Sequence, residues 1–243
     1  MQLVQISDLH VGAYNAEILL NAIDEINRLE PDVILVTGDL TENGLLVEFK
    51  KAKEYISMLK CSNIIVLAGN HDYRHTGYLL FKRMFYDKQL YELDECIIAK
   101  LNTARPDRDE GEVGYRQCLW LANSFKRDYR YKIIAMHHHL IAAPDTGSDR
   151  IIVLDAGDVL HTALSSNVNL VICGHKHRPW LWNLGSLIIA YAGTVSSIKM
   201  RGFFENSYNI IDIDDTIKID LKIVNGERMP LEKVVRMREY IEE

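Results

Sequence analysis

The sequence predicts an α/β fold, and three observations carry that expectation. Strand-like and helical stretches alternate through the first third of the chain. Several strand-like runs are apolar at every position, as expected of strands in a parallel sheet covered on both faces. Each of these runs ends abruptly in a short polar motif, many containing glycine, where the chain has to turn off the sheet.

The elements can be taken in order. Leu3-Val4-Gln5-Ile6 reads as a strand, and Ala16, Leu19, Ile23, Ile26 and Leu29 recur at helical spacing until Pro31 stops them. Val33-Ile34-Leu35-Val36 is a fully apolar strand. Phe49, Ala52, Ile56 and Leu59 form a second helical stripe, and residues 64–67 a third strand. The resulting βαβαβ order implies parallel strands with crossover helices. Between residues 73 and 128 the pattern is less regular, with a helix expected near 79–85, a strand over Cys96–Lys100 and a polar loop at 106–111. A buried strand follows at 133–136, then a helix near 158–165 and the strand Leu170–Cys173. From 180 to 224 short strands separated by turn residues read as antiparallel. A charged helix with Val234, Val235, Met237 and Ile241 on its apolar side closes the sequence. With no internal repeat or linker, residues 1–243 are expected to form one domain, its last strands and helix from about 205 packing on the core.

Composition narrows the functional classes. The 243 residues are 48% hydrophobic and 26% charged, with a formal net charge of −6, so a broad positive field for nucleic acid is missing and nucleic-acid binding is disfavoured. Cys61, Cys96, Cys118 and Cys173 are far apart, without a C-x-x-C pair, and read as reduced thiols. The opening strand leaves no room for a signal peptide, and no apolar run approaches the ~20 residues of a membrane span. A cytoplasmic protein is expected, with homodimerisation left open.

Five polar motifs sit just past strand ends: Asp8-Leu9-His10, Gly38-Asp39, Gly69-Asn70-His71-Asp72, His137, and Gly174-His175-Lys176-His177. Mixed imidazole and carboxylate donors suit Mn, Fe, Co or Zn better than Mg or Ca. In this order the motifs resemble the signature of the calcineurin-like metallophosphoesterases. Gly38-Asp39-Leu40-Thr41 with Gly44, the run from Gly174 to Arg178-Pro179, and Ala192-Gly193-Thr194 look like the class III cyclic nucleotide phosphodiesterase branch of that family. The branch has His-His-Pro where this chain has His137-His138-His139.

The resemblance implies a four-layer α-β-β-α sandwich of the metallophosphoesterase type. It further implies two metal ions (Mn, Fe or Zn), one held by Asp8, His10, Asp39 and His177, the other by Asn70, His137, His175 and the shared Asp39. Hydrolysis by in-line attack of a metal-bridging hydroxide is the expected reaction. In this expected mechanism Asp39 bridges the ions, both ions and Asn70 hold the nonbridging oxygens and offset charge, and His71 protonates the leaving oxygen. A small phosphodiester, cyclic nucleotides included, is the expected substrate. The alternatives are a phosphomonoesterase or nuclease of the same superfamily, or a scaffold that has lost its metal. The Gly38–Gly44 run lacks the arginine that serine/threonine phosphatases of this superfamily carry there.

Residues of less certain role are given two readings. Side chains alternate at a strand's end, so His137 and His139 are expected to face one way and His138 the other; His137 is favoured as the ligand over His139, with His138 bracing a ligand or touching substrate. His75 either approaches substrate or, the reading favoured, is an exposed loop histidine; His161 is a surface or a satisfied core residue. Arg178 either contacts phosphate or packs beside Pro179, and Asn102-Thr103 either shapes the pocket or caps a strand.

Overall fold

The computed structural model describes residues 1–85, 88–144, 146, 152–200, 203 and 205–236. Twelve strands form two six-stranded sheets among these residues. The first sheet is nucleated by β1 (Gln2–Ile6), β2 (Val33–Val36) and β3 (Ile64–Val66), which run parallel in register. Helices α1 (Ala16–Leu29) and α2 (Leu46–Ser57) make the crossovers. On the other side of β1 the sheet continues antiparallel through β10 (Ser207–Ile213), β11 (Ile217–Ile223) and β12 (Arg228–Pro230).

The second sheet has the order β4 (Leu90–Leu93), β5 (Cys96–Lys100), β6 (Tyr131–Ala135), β7 (Leu170–Cys173), β9 (Ile188–Tyr191), β8 (Trp180–Asn183). Its centre, β5 to β9, is parallel and its two edges are antiparallel. Helices α3 (Gly77–Phe85), α4 (Tyr115–Ser124), α5 (Ala156–Ser165) and α6 (Leu231–Arg236) complete the set.

Three apolar clusters show the layering. Val4, Ile6, Ile34 and Val36 pack with Leu19, Ile23, Ile26, Phe49 and Ala52, placing α1 and α2 on the outer face of the first sheet. Leu3, Val33, Leu35 and Ile65 meet Ile98, Ile133, Leu170 and Ile172 between the sheets. Ile134, Val171 and Ile189 cover Cys118, Leu121, Val159 and Ala163 of α4 and α5. The alternation of side chains along β2 thus feeds two different cores, which is why every residue of that strand is buried. Each such side chain contributes roughly 1.5–3 kcal/mol. The expected α-β-β-α sandwich is the observed one.

Local signals set the helix ends. The Asn15 side chain accepts hydrogen bonds from the amides of Glu17 and Ile18 at the start of α1, and Glu30 closes it in a left-handed conformation ahead of Pro31. Glu48 reaches back from α2 to the amides of Asn43 and Leu45.

Three expectations need correction. Helix α4 and strand β4 were hidden in the irregular stretch, because α4 buries little beyond Cys118 and Leu121 and leaves Tyr115 and Leu119 exposed. Strand β9 pairs parallel with β7, so the late strands are not all antiparallel. The residues after His137 do not continue the strand, which ends at Ala135. Of the closing helix, Met237 and Ile241 lie outside the described residues.

Candidate metal centre

The strands β1, β2, β3, β6 and β7 all release their chains at the same end of the sandwich, and the seam between the sheets gathers the five motifs there. The turns are tight. Asp8, His10, Asp39, His175 and His177 all have positive φ, between 50° and 84°, conformations that L-residues adopt at a cost. Close packing fixes the motif at Gly69, where a Cβ would stand 2.1 Å from Asp39 Oδ1.

The buried side chains fall into two halves. In the first, Asp8 Oδ1 lies 3.3 Å from His177 Nε2 and 3.8 Å from His10 Nε2, and the two Nε2 atoms are 3.0 Å apart. In the second, His137 Nε2 is 3.2 Å and His175 Nδ1 3.0 Å from Asn70 Oδ1. Asp39 stands between them, its Oδ2 3.6 Å from His10 Nε2 and 3.4 Å from His137 Nε2. All seven residues singled out as ligands in the sequence therefore meet in one place.

The hydrogen bonds around the site assign its tautomers. His10 Nδ1 faces Glu42 Oε2 at 2.9 Å, and His177 Nδ1 faces the carbonyl of Lys199. Both nitrogens must therefore donate, which brings the two Nε2 atoms face to face beside a carboxylate, with room between them only for a proton or a metal ion. His137 Nδ1 donates to the Thr37 carbonyl at 2.7 Å, so its Nε2 is the atom turned toward the oxygens of Asn70 and Asp39. Asp8 Oδ1 and His175 Nε2 are buried with no hydrogen-bond partner. Converging acceptors repel unless a cation lies among them. The donor set fits metal ions.

The electrostatics point the same way. Burial alone would lower the pKa of His10, but the neighbouring carboxylates of Asp8, Glu42 and Asp39 push it up to about 10. His137 is driven up to about 9 against the same penalty, chiefly by Asp39. Asp8 and Asp39 are held well below the usual carboxylate range, despite burial, by the surrounding imidazoles. His175 is pushed down by burial and by its histidine neighbours.

The other polar residues sort by geometry. His71 Nδ1 donates to the Glu42 carbonyl at 2.7 Å, its Nε2 lies 3.2 Å from Arg74 Nη2, and its amide donates to Asp39 Oδ1. Burial lowers its pKa. Asp72 points away from His71 and accepts from Gly69, Leu40 and Thr41, bracing the motif. His138 is held by Thr103 Oγ1 at its Nδ1 and by the Asp109 carbonyl at its Nε2, so both ring nitrogens are already engaged. Its ring nevertheless lies on the same side as His137, with centroids 4.5 Å from His175; the strand alternation expected of the three histidines does not hold. His139 turns away and stacks on Tyr191 at 3.9 Å. Arg178 is buried over the Trp180 ring, which selects the packing reading. His75 and His161 are exposed.

Sequence reasoning missed the rim. A cavity of about 200 Å³ opens over the histidines, and its wall includes Arg74, Lys176, Lys199 and Asp109. Arg74 comes three residues after His71, so it supplies the cavity's guanidinium from a different loop than the one inspected for an arginine. Lys199 and Asp109 sit in loops without a motif and left no signal.

Comparison with known proteins agrees with the site. The family model for calcineurin-like phosphoesterases matches residues 1–179. The chain belongs to that family. It is thus a phosphoesterase, a hydrolase of a family that works with divalent metal ions. A probable cyclic nucleotide phosphodiesterase from Synechococcus sp. is 24% identical over 196 residues, covering 76% of each chain. A probable glycerophosphodiester phosphodiesterase from Arcobacter nitrofigilis is 28% identical over 211 residues, covering 75% of each. A purple acid phosphatase from yellow lupin superposes with a TM-score of 0.76 at 12% identity; 95% of this chain matches about half (52%) of that one, and the likeness is one of fold. No helix among the described residues is long and apolar enough to cross a membrane.

Proposed function

We propose that this phosphoesterase is a dinuclear phosphodiesterase of small phosphodiesters, cyclic nucleotides among them. The observation that carries the metal reading is the convergence of the Nε2 atoms of His10 and His177, 3.0 Å apart, beside Asp8. Asp8, His10 and His177 would hold one ion and Asn70, His137 and His175 the other, with Asp39 shared. The mixed nitrogen and oxygen donors suit manganese, iron or zinc. Ions held there supply Lewis acidity and lower the pKa of water toward neutrality.

The chain's own residues do the rest. Asn70 directs its Oδ1 inward because its Nδ2 donates to Asp109 Oδ1 at 3.3 Å. Arg74, Lys176 and Lys199 on the cavity wall attract and hold the phosphate anion. His71 is tied at Nδ1 to a carbonyl, so Nε2 is the atom that carries the proton to the departing oxygen. That proton is present only in the imidazolium form; burial lowers the pKa, making this form a stronger acid but a minority one at neutral pH. The diester preference is supported by the names of the curated relatives. The four free cysteines, three of them buried, fit a reducing, cytoplasmic setting.

On metal-loaded protein, kcat/KM for bis(p-nitrophenyl) phosphate is expected to exceed that for p-nitrophenyl phosphate by about tenfold or more, a gap of ~1.4 kcal/mol in barrier. A preference for the monoester would overturn the substrate reading. The natural diester can then be sought among 3′,5′- and 2′,3′-cyclic nucleotides and glycerophosphodiesters.

Metal uptake should also depend on pH in one direction. In chelator-treated protein at pH 7, His10 and His137 lie below their raised values of about 10 and 9 and carry protons. An incoming ion must displace them. Apparent affinity is expected to rise with pH from 6 to 9, with protons released into the buffer. Calorimetry in buffers of different ionisation enthalpy measures the release; a pH-independent affinity with no proton release would contradict the assigned protonation states.

A further inference from the structure

The two halves of the site are oriented by different means. In the second half, His137 Nδ1 donates to a main-chain carbonyl, that of Thr37, and His175 Nδ1 faces the Asn70 amide oxygen. In the first half, a side-chain carboxylate is recruited. Glu42 Oε2 accepts from His10 Nδ1 at 2.9 Å, and Glu42 Oε1 pairs with the Lys199 ammonium. The carbonyl of the same Lys199 accepts from His177 Nδ1. His10, Glu42, Lys199 and His177 therefore form a closed ring of contacts whose ends are the two facing Nε2 atoms.

Glu42 is well placed to act as a fixed anchor. It is 8% exposed, and its amide donates to the Val11 carbonyl at 3.0 Å. Its own carbonyl accepts from His71 Nδ1 and from Arg74 Nη1 at 3.0 Å. Burial opposes its charge, but the His10 and Lys199 hydrogen bonds hold its carboxyl down.

We propose that Glu42 is a positioning residue for the Asp8, His10 and His177 half of the centre, and that it makes that half the tighter of two unequal ion sites. The inference rests on the metal reading given above. A carboxylate on Nδ1–H locks the imidazole tautomer and makes Nε2 a stronger donor, an advantage worth about 10–100-fold in ion affinity. A main-chain carbonyl, the partner of His137, locks the tautomer without contributing a full charge. Lys199 offsets the extra negative charge and holds the carboxylate in the one orientation that faces His10.

The test is a calorimetric titration of full-length, chelator-treated protein with Mn²⁺. The unmodified chain is expected to take up two ions with distinct affinities. Glu42→Ala should weaken the tighter ion by about 10–100-fold and leave the other within a few-fold. Glu42→Gln, whose amide oxygen still accepts from His10 Nδ1 but carries no charge, should recover only the smaller part of that loss. In a His10→Ala background, Glu42→Ala should add nothing further. The proposal is overturned if Glu42→Ala binds both ions as the unmodified chain does, if it weakens both equally, or if its effect persists undiminished in His10→Ala. An intact weaker ion and an unchanged melting curve show that the variant has folded. An unmodified chain that takes up no Mn²⁺ at all overturns the metal reading itself, a result distinct from any of these.

Discussion

Asp39→Ala is expected to lose bound metal and about 10³-fold or more of kcat/KM. A single carboxylate oxygen faces both halves of the centre: Oδ2 lies 3.6 Å from His10 Nε2 and 3.4 Å from His137 Nε2. Without it, two ions that repel one another would share no anion, and several kcal/mol of charge stabilisation would go, each 1.36 kcal/mol of it a factor of ten. Asp39 Oδ1 also accepts from the His71 amide, so alanine could in principle act by loosening that turn. Asp39→Asn separates the two effects, since its amide oxygen keeps the hydrogen bond and loses the charge. Metal content after gel filtration, read with turnover of bis(p-nitrophenyl) phosphate, decides the matter. Two ions retained by either variant at normal affinity would remove Asp39 from the bridging role.

His71→Ala should behave in the opposite way, keeping both ions and losing turnover by about 10²–10⁴-fold. The ring lies beside His10, centroids 4.6 Å apart, but its Nδ1 is committed to the Glu42 carbonyl and its Nε2 lies toward Arg74. The leaving group supplies a sharp control. An alkoxide needs a proton as it departs and p-nitrophenolate does not, so the loss should be large on a cyclic nucleotide and much smaller on the nitrophenyl diester. Equal losses on the two substrates, or a variant stripped of metal, would assign His71 to holding the site together rather than to proton transfer.

Much of this was legible in the sequence because two independent signals coincide. Apolar runs such as Val33–Val36 and Leu170–Cys173 mark strands buried on both faces, and a polar residue directly after such a run lies at the sheet's end. Asp8, Asp39, Asn70, His137 and His175 could therefore be placed together before any coordinates. The companions of those residues could not. Glu42 and Lys199 are 157 positions apart, and nothing in either local sequence announces the other. His138 and His139 failed for a different reason: the alternation rule applies only while a strand lasts, and β6 stops at Ala135, before the three histidines. Helix α4 escaped because it rests on the sheet through few buried residues, leaving its apolar stripe broken by exposed Tyr115 and Leu119.

The left-handed backbone at Asp8, His10, Asp39, His175 and His177 bears on how long such a protein can survive unused. At about 1 kcal/mol or more apiece, five such residues consume a sum comparable with the net stability of an ordinary domain, roughly 5–15 kcal/mol. A gene duplicate relieved of its chemistry would become sturdier by drifting to glycine at any of them. Replacing any of the five with glycine relieves strain and removes a side chain of the site at once, so thermal stability and metal uptake are expected to move in opposite directions.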